Sequence, residues 1–258
     1  MTKAQNAGAL YSRKFLAERL DGSASSAVVV VPIVLSLLSV KSVIDVGCGL
    51  GAWAAEFLAN GVPDVWGIDG DYVDRSQLRI PPSRFLPRDL TKTLQFDRTF
   101  DLAVCLEVAE HLPGPRAQGL VVDLTSLAPC VLFSAAVPGQ RGTNHINEQY
   151  LPYWIDLFQG QGYQGIDPIR PSILGNHSVD WWYQQNTVMF VAAKHPLLAK
   201  GFPKPQTIIH QDLYELFRNP SLLDLVKLVS TFPVAVHRSI RRHLGLLLPD
   251  YNLKRGAK

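Results

Sequence analysis

Three glycines at alternate positions follow an acidic residue near the start of the chain, because Gly47, Gly49 and Gly51 come directly after Asp45 and Val46. Glycine lets the backbone pass close to a ligand and adopt angles that other residues avoid. A helix that begins behind such a turn presents free N–H groups to polar or anionic groups. The pattern predicts a cofactor cradle at the first strand of a doubly wound sheet.

The glycine spacing alone fits two classes of cofactor. Residues 47–52 satisfy the fingerprint G-x-G-x-x-G/A, so a nicotinamide or flavin dinucleotide is one interpretation. Asp45 favours another, because a carboxylate beside the turn repels a pyrophosphate and attracts an amino group. The acid therefore indicates a ligand with a cationic group, such as the ammonium of a methionyl moiety.

Further acids follow at the ends of the next predicted strands. Asp69 ends the second strand, 18 residues after Gly51, where a carboxylate can accept both hydroxyls of a ribose. Asp89 follows a short third strand and is suited to accept from an adenine amino group. It could instead cap a helical turn over residues 91–93, because Asp is a favoured cap. Glu107 ends the fourth strand, and a solvated loop acid is its alternative interpretation.

Taken in order, these segments resemble the class I S-adenosylmethionine-dependent methyltransferases over roughly residues 40–195. The resemblance implies that the cofactor is S-adenosyl-L-methionine, and it implies a role for each matching residue. The glycines would pass under the cofactor, with Asp45 near its methionyl end and Asp69 on the ribose. Asp89 and Leu90 would lie against adenine, and Glu107 close to the amino acid part.

The order of elements predicts an α/β fold with a doubly wound, largely parallel seven-stranded sheet and helices on both faces. Two helices, over 8–20 and 24–39, are expected before the first strand. Right-handed crossovers place the carboxyl ends of the parallel strands, and so the site, at one edge. The last two strands are expected at 165–170 and 187–193, and the antiparallel direction of the seventh is implied by the resemblance.

Two polar loops would open beside the cofactor, one after the fourth strand and one after the fifth. They contain His111 and His145, and histidine is suited to take a proton from a hydroxyl near neutral pH. These are the two candidates for a catalytic base, and the sequence does not decide between them. Glu110 and Glu148 are candidate orienting acids in the acceptor site, and Asn144 would suit a polyhydroxylated acceptor or could equally stabilise the loop.

The segments 144–149 and 181–186 resemble a methyltransferase subgroup seen around bacterial polysaccharide and glycan biosynthesis. This resemblance implies a sugar or small-metabolite acceptor. Trp181 and Trp182 could stack on a sugar ring, or simply pack at the start of the last strand. No metal site is assigned, because the three cysteines lack zinc-ligand spacing and no clear carboxylate triad is present, but a metal-assisted O-methyltransferase stays an open alternative.

Composition divides the chain into three parts: an N-terminal helical cap over 1–40, a catalytic domain over 41–195 and a basic helical extension over 196–258. Residues 194–258 hold 11 Lys/Arg against 4 Asp/Glu, so they are strongly basic within a chain of net charge +3. A basic amphipathic helix is predicted at 234–248. It could pack on the domain, lie on an anionic membrane, contact phosphates or meet another subunit.

The sequence thus predicts an S-adenosylmethionine-dependent methyltransferase that O-methylates a sugar, glycan or small metabolite. A nicotinamide-dependent oxidoreductase and a non-catalytic assembly module with the same fold are the alternatives. The expected partner is a small-molecule or glycan acceptor, and nucleic acid is disfavoured. No signal peptide is predicted at Met1–Asn6, and the longest apolar run is interrupted by Pro32. A cytoplasmic location is expected, with attachment to the inner membrane surface left open.

Overall fold

The computed structural model describes residues 13–218 of the chain. The start of the first predicted helix and the basic helix expected at 234–248 lie outside these residues. Residues up to His210 group as one compact unit, whereas the helix Gln211–Arg218 belongs to a second. Within the described residues, no helix combines the length and the apolar character needed to cross a membrane.

Seven strands form a single sheet in the order β3-β2-β1-β4-β5-β7-β6. Six strand pairs hold it together; β1 to β5 are mutually parallel, and β7 runs antiparallel to both β5 and β6. The strands are β1 Ser42–Val46, β2 Asp64–Asp69, β3 Phe85–Pro87, β4 Leu102–Leu106, β5 Cys130–Ser134, β6 Tyr163–Ile166 and β7 Val188–Ala192. The predicted doubly wound, largely parallel sheet of seven strands is confirmed.

Helices connect the strands and cover both faces of the sheet. They are α1 Arg13–Leu37, α2 Ala52–Ala59, α3 Ala117–Leu127, α4 Leu151–Gln159, α5 Arg170–Ile173, α6 Trp181–Asn186 and α7 Gln211–Arg218. Short 3₁₀ turns lie between them, including Ala109–His111 directly after β4. The segment 181–186, expected to open the last strand, is therefore a helix of its own.

The N-terminal region contradicts the prediction of two helices, because α1 runs without a break from Arg13 to Leu37. The prediction left residues 21–23, which include Gly22, between the two helices. A glycine inside a helix costs only about 1 kcal/mol relative to alanine, so the helix continues through it. A Cβ at this glycine would lie 2.2 Å from the Asp180 carboxylate, so the Asp180 side chain would have to move to admit it.

The core consists of two apolar layers, one on each face of the sheet. One layer packs α1 and α2 on the sheet, with Val31 and Phe57 fully buried. The other packs α3 and α4 on the opposite face, with Leu120 and Phe158 fully buried. The parallel strands run through the middle and are buried on both sides, which explains their nearly continuous apolar sequences. Their carboxyl ends meet at one edge, where the polar loops project.

Candidate functional site

The turn after β1 takes the conformation that its glycines allow. Gly47, Gly49 and Gly51 have φ angles of 80°, 55° and 82°, in the left-handed region that side chains avoid. A Cβ on Gly47 would come within 2.3 Å of Val108. A Cβ on Gly49 would meet nothing within 4 Å, so this part of the turn faces open space.

Asp69 closes this turn from the end of β2. Its Oδ2 accepts a hydrogen bond from the Gly49 amide at 2.7 Å, and its Oδ1 accepts from the Gly70 amide at 2.6 Å and from the Tyr72 hydroxyl at 2.5 Å. The side chain is buried, and burial raises the pKa of Asp69 although these three donors act to lower it. The carboxylate thus fixes the glycine turn, and Oδ2 keeps a lone pair for a further donor.

Asp45 lies beneath the same turn and is incompletely paired. It is 3% exposed, and its Oδ2 has no hydrogen-bond partner within the part of the chain that the structure describes. Burial, together with the charge of Asp69, raises the pKa of Asp45 to about 7, although the Ala54 amide acts against this shift. A buried acid with an unused oxygen is suited to receive a cationic donor, because the pairing would repay the cost of burying its charge.

Asp89 and Leu90 follow β3 at the neighbouring edge. Asp89 is exposed and accepts from the amide and hydroxyl of Thr91 at 3.0 Å and 2.6 Å. The cap that the sequence offered as an alternative role is therefore present. Leu90 is half-buried, and its carbonyl accepts from Arg116 Nε at 3.0 Å. The contact of Asp89 and Leu90 with an adenine stays a prediction.

Glu107 leaves β4 with an unusual backbone, since its φ of 55° lies in the left-handed region. Its amide donates to the carbonyl and hydroxyl oxygens of Ser134 at the end of β5. Its carboxylate accepts from Gln140 at 2.7 Å and from Asn186 at 3.1 Å. Burial raises the pKa of Glu107 in spite of these donors. Holding a non-glycine residue at positive φ costs free energy, and such residues cluster at functional sites.

The loops after β4 and β5, which the sequence placed near each other, meet through backbone hydrogen bonds. The Glu110 carbonyl accepts from the amides of Ile146 and Asn147 at 2.9 Å and 3.0 Å. The rings of His111 and His145 lie edge to face with their centroids 4.9 Å apart. The two candidate bases therefore share one site rather than competing from separate places.

His145 is held in place by its own loop. Its Nδ1 lies 3.0 Å from Glu148 Oε1, and the Gly139 amide donates to Glu148 Oε2 at 2.7 Å. Burial acts to raise the pKa of Glu148, but the hydrogen bonds from His145 and Gly139 bring it below its ordinary value. Asn144, beside the histidine, has a φ of 58° and forms part of the turn that aims the ring.

Glu110 contrasts with its neighbours because its carboxyl group forms no regular hydrogen bond within the described residues, although the Glu110 and Ala136 amides act to lower its pKa. It is fully buried, and neither carboxyl oxygen has a hydrogen-bond partner among the described residues. Burial, and then the charge of Glu107, raises the pKa of Glu110 well above its usual range. Its Oε1 lies 4.0 Å from His145 Nε2. Burying a carboxylate without hydrogen-bond donors costs free energy, so such a group in a folded protein usually has a ligand or a function.

The two tryptophans lie on α6, which ends two residues before β7 begins. Trp181 stacks on the ring of His210 with centroids 6.3 Å apart, and its edge meets Trp182. Trp182 is half-buried against the core layer on the α1 side. Packing accounts for both contacts, and stacking on a sugar stays a prediction.

Three residues of the site were not assigned from the sequence, although two of them lie in segments that the analysis singled out. Gln140 and Asn186 hold the Glu107 carboxylate, and Asn186 Nδ2 also donates to Gln140 Oε1 at 2.8 Å. Tyr72 holds Asp69. Buried amides leave little trace in sequence, whereas Tyr72, three residues past the strand-end acid, was within reach of a local analysis.

Comparisons with known proteins agree with this architecture. A family model described as a methyltransferase domain matches residues 16–128, which is less than half of the chain. Among curated proteins, nothing matches the sequence at a significant level.

Several solved structures share the fold at low sequence identity. A magnesium protoporphyrin IX methyltransferase from Synechocystis, with bound SAH, has a TM-score of 0.53 and 15% identity; the match covers 74% of this chain and 100% of that one. A sugar N-methyltransferase from Streptoalloteichus gives 0.52 and 12%, over 67% and 88% of the two chains. An amino pentose methyltransferase from Micromonospora echinaspora, with bound SAM, gives 0.50 and 15%, over 68% and 94%. The fold is the Rossmann-like fold of the class I methyltransferases.

Proposed function

We propose that the protein is an S-adenosylmethionine-dependent methyltransferase that acts on a hydroxyl of a sugar, glycan or small metabolite. The observation that carries the proposal is the buried Asp45 oxygen without a partner beneath the glycine turn. The methyltransferase family match over 16–128, which includes this turn, supports the cofactor class.

The residues at the turn fit this cofactor in charge and in space. Its amino acid part carries an ammonium group, which is the kind of donor that Asp45 lacks. A pyrophosphate in the same place would face two buried carboxylates, Asp45 and Asp69, and like charges repel strongly where water is excluded. Gly49 leaves open space above the backbone, so a ligand can approach it closely.

Each strand end has a role in holding the cofactor. Asp45 would pair with the ammonium and Asp69 would accept from the ribose through the lone pair that Oδ2 retains. Glu107, fixed by Gln140 and Asn186, would bound the amino acid part. Asp89 and Leu90 would lie at the adenine end, where the exposed carboxylate remains accessible.

Bound S-adenosylmethionine supplies an electrophilic methyl group on a sulfonium, so the protein's task is to place the acceptor and manage its proton. The loops that follow β4 and β5 carry out that task in this proposal. His111 and His145 would act on the hydroxyl proton, and Glu148 would orient His145. Asn144 and Glu110 would complete the polar wall of the acceptor site, with Trp181 and Trp182 at its margin.

The proposal is tested first by calorimetric titration of the purified protein with S-adenosylhomocysteine, with NAD(H) titrated in parallel. Micromolar binding of the first ligand without binding of the second would support the proposal. The Asp69→Ala variant should lose affinity for S-adenosylhomocysteine. Asp71→Ala is the matched control, since Asp71 is exposed and pairs only with Arg75 among the ion pairs of this segment.

Activity is tested with a methyl-labelled cofactor and a panel of acceptors. The panel should contain sugars, their amino derivatives and polyhydroxylated metabolites, and the methylated atom should be located by mass spectrometry. Label on a sugar oxygen supports the O-methylation proposal, whereas label on an amino group overturns that part of it. Binding of NAD(H) in place of S-adenosylhomocysteine would overturn the cofactor, and binding of neither would favour a non-catalytic module.

A further inference from the structure

Three side chains from the loops after β4 and β5 converge at one place. A carboxyl oxygen of Glu110 and one ring nitrogen each from His111 and His145 lie within 4.8 Å of one another. The side chains of Glu110 and His145 are 0% and 8% exposed, so water has little access to them. One carboxylate and two imidazoles are a common ligand set for divalent transition metals.

The Glu110 carboxyl supplies an independent indication of a ligand. Both of its oxygens are buried and without hydrogen-bond partners in the described part of the chain. The folded protein would normally not accept such a group unless it were paired. His145 Nε2 lies 4.0 Å from Glu110 Oε1, which is too far for a hydrogen bond.

The partner of His145 is of the kind that orients a metal ligand. Glu148 lies 3.0 Å from His145 Nδ1 and is itself fixed by the Gly139 amide. When Nδ1 donates its proton to this carboxylate, Nε2 presents a lone pair on the side facing Glu110. Metal-binding histidines are typically held by a carboxylate in this way, which fixes both the tautomer and the ring.

We propose that Glu110, His111 and His145 bind one divalent transition-metal ion of the zinc, cobalt or manganese class, with Glu148 as a positioning residue for His145. Two atoms that each lie about 2.1 Å from one ion are at most about 4.2 Å apart. Separations of up to 4.8 Å therefore close with shifts of roughly 1 Å or less. The three ligands leave coordination positions open for oxygen atoms.

The use of this ion rests on the proposed methyltransferase function. A hydroxyl bound to a divalent ion has a lowered pKa and can lose its proton near neutral pH. The two histidines would then be ligands, and the hydroxyl proton would pass to solvent. An acceptor with two neighbouring hydroxyls, which can chelate the open positions, is the substrate class that this site would favour.

The first measurement is a titration of the full chain, freed of metal with a chelator, by Co²⁺ alone with visible absorption. One bound equivalent with d–d bands, and no thiolate charge-transfer band in the near ultraviolet, is expected. A thiolate band that disappears in Cys130→Ser would place the ion on Cys130 and the half-buried His195, whose Sγ and Nε2 lie 3.3 Å apart. That result would overturn the proposal.

Variants identify the ligands. Glu110→Gln and His145→Ala should each weaken Co²⁺ binding by about 100-fold or more, and Glu148→Gln by about 10–100-fold as an outer-shell change. His177→Ala is the matched control, because His177 is exposed, and it should bind Co²⁺ as the wild type does. Calorimetric binding of S-adenosylhomocysteine to each variant reports that the fold is retained.

The two titrations separate the two proposals. Absence of Co²⁺ binding tighter than millimolar, or equal binding by the wild type, Glu110→Gln and His145→Ala, overturns the metal site. If S-adenosylhomocysteine still binds in that case, the proposed function stands without the ion. Binding of Co²⁺ at Glu110 and His145 by a protein that ignores S-adenosylhomocysteine supports the metal site and removes the methyltransferase proposal.

Discussion

The two halves of the candidate site treat buried acids in opposite ways. At the turn between β1 and α2, Asp69 is surrounded by donors from residues close in the chain or in the adjoining turn. Beyond β4, Glu110 is also buried, but neither of its carboxyl oxygens has a regular hydrogen-bond partner among the described residues. The first arrangement is complete as a piece of structure and offers only its remaining lone pairs. In the second arrangement, both carboxyl oxygens could still accept a proton donor or bind a cation.

This contrast indicates how the two halves should respond to change. Removing an acid of the cofactor half breaks existing hydrogen bonds, so affinity for the cofactor and local order should fall together. Removing a side chain of the acceptor half breaks few contacts of the folded protein, so turnover should fall while the cofactor still binds.

The largest effect is expected in the acceptor half. His145→Ala should lower turnover by about 100-fold or more, whether the histidine takes the proton or binds the ion that acidifies the hydroxyl. Its affinity for S-adenosylhomocysteine should change by less than about twofold. Steady-state kinetics and calorimetry check this with His177→Ala as the control. A parallel loss of cofactor affinity would remove the distinction between the halves.

Removal of a metal provides a second strong comparison. Treating the wild type with a chelator should lower turnover to about the level of His145→Ala, and adding back Co²⁺ or Mn²⁺ should restore it. The same treatment should leave the residual rate of His145→Ala nearly unchanged, because that variant has already lost the ion. An additional large loss in the variant would place the ion elsewhere.

A smaller effect is expected at the ribose position of the cofactor half. Asp69→Ala should weaken S-adenosylhomocysteine binding by about 1–3 kcal/mol, because a charged acceptor is lost from the ligand and the Gly49 amide is released. Asp71→Ala should bind normally. Unchanged affinity in a folded Asp69→Ala variant would take Asp69 away from the ribose.

Asp45 should give the cofactor half a pH dependence. Its pKa of about 7 means that its ionised fraction rises from about one tenth to about nine tenths between about pH 6 and pH 8. Affinity for the ammonium-bearing S-adenosylhomocysteine should therefore increase by up to about tenfold over that range. Asp45→Asn should bind weakly and lose the increase. Because the charge of Asp69 helps to raise the pKa of Asp45, Asp69→Asn should move the increase in affinity to lower pH.

The unliganded protein should show the opposite trend from the same group. A carboxyl whose pKa is raised in the folded state favours folding while it is protonated. Its contribution to the free energy of unfolding is therefore lost as pH rises from about 3.8 towards about 7. Denaturant titrations of the wild type and Asp45→Asn check this sign. A rise in affinity without that loss of stability would assign the pH dependence to another group.

The smallest effect is expected at the edge of the cofactor half. Asp89 is exposed and already accepts from Thr91, so Asp89→Ala should cost about 0.5–1 kcal/mol of cofactor affinity. Thr91→Val removes the hydroxyl contact but leaves the carboxylate in place, and it should bind the cofactor normally. If the two variants behave alike, Asp89 acts only as a cap.

How much of the site could be predicted depended on distance along the chain. Asp45 and the three glycines lie within seven residues, and their geometry follows from backbone rules that act locally. The strand-end position of Asp69 was predictable for the same reason, because it requires only one strand boundary. The continuity of α1 through Gly22 was not, since a tolerated glycine and a helix boundary have the same local sequence.

The amino-acid sequence by itself determined the sheet, the glycine turn and the acids at the strand ends, because periodicity and turn chemistry operate over a few residues. Only the tertiary structure decided that Glu110 and His111 stand against His145, more than 30 residues away, with Glu148 behind it. That meeting depends on the alignment of β4 and β5 and on the hydrogen bonds between their loops. The hydrogen bonds between these two loops form only in the packed fold, so no local sequence pattern predicts them.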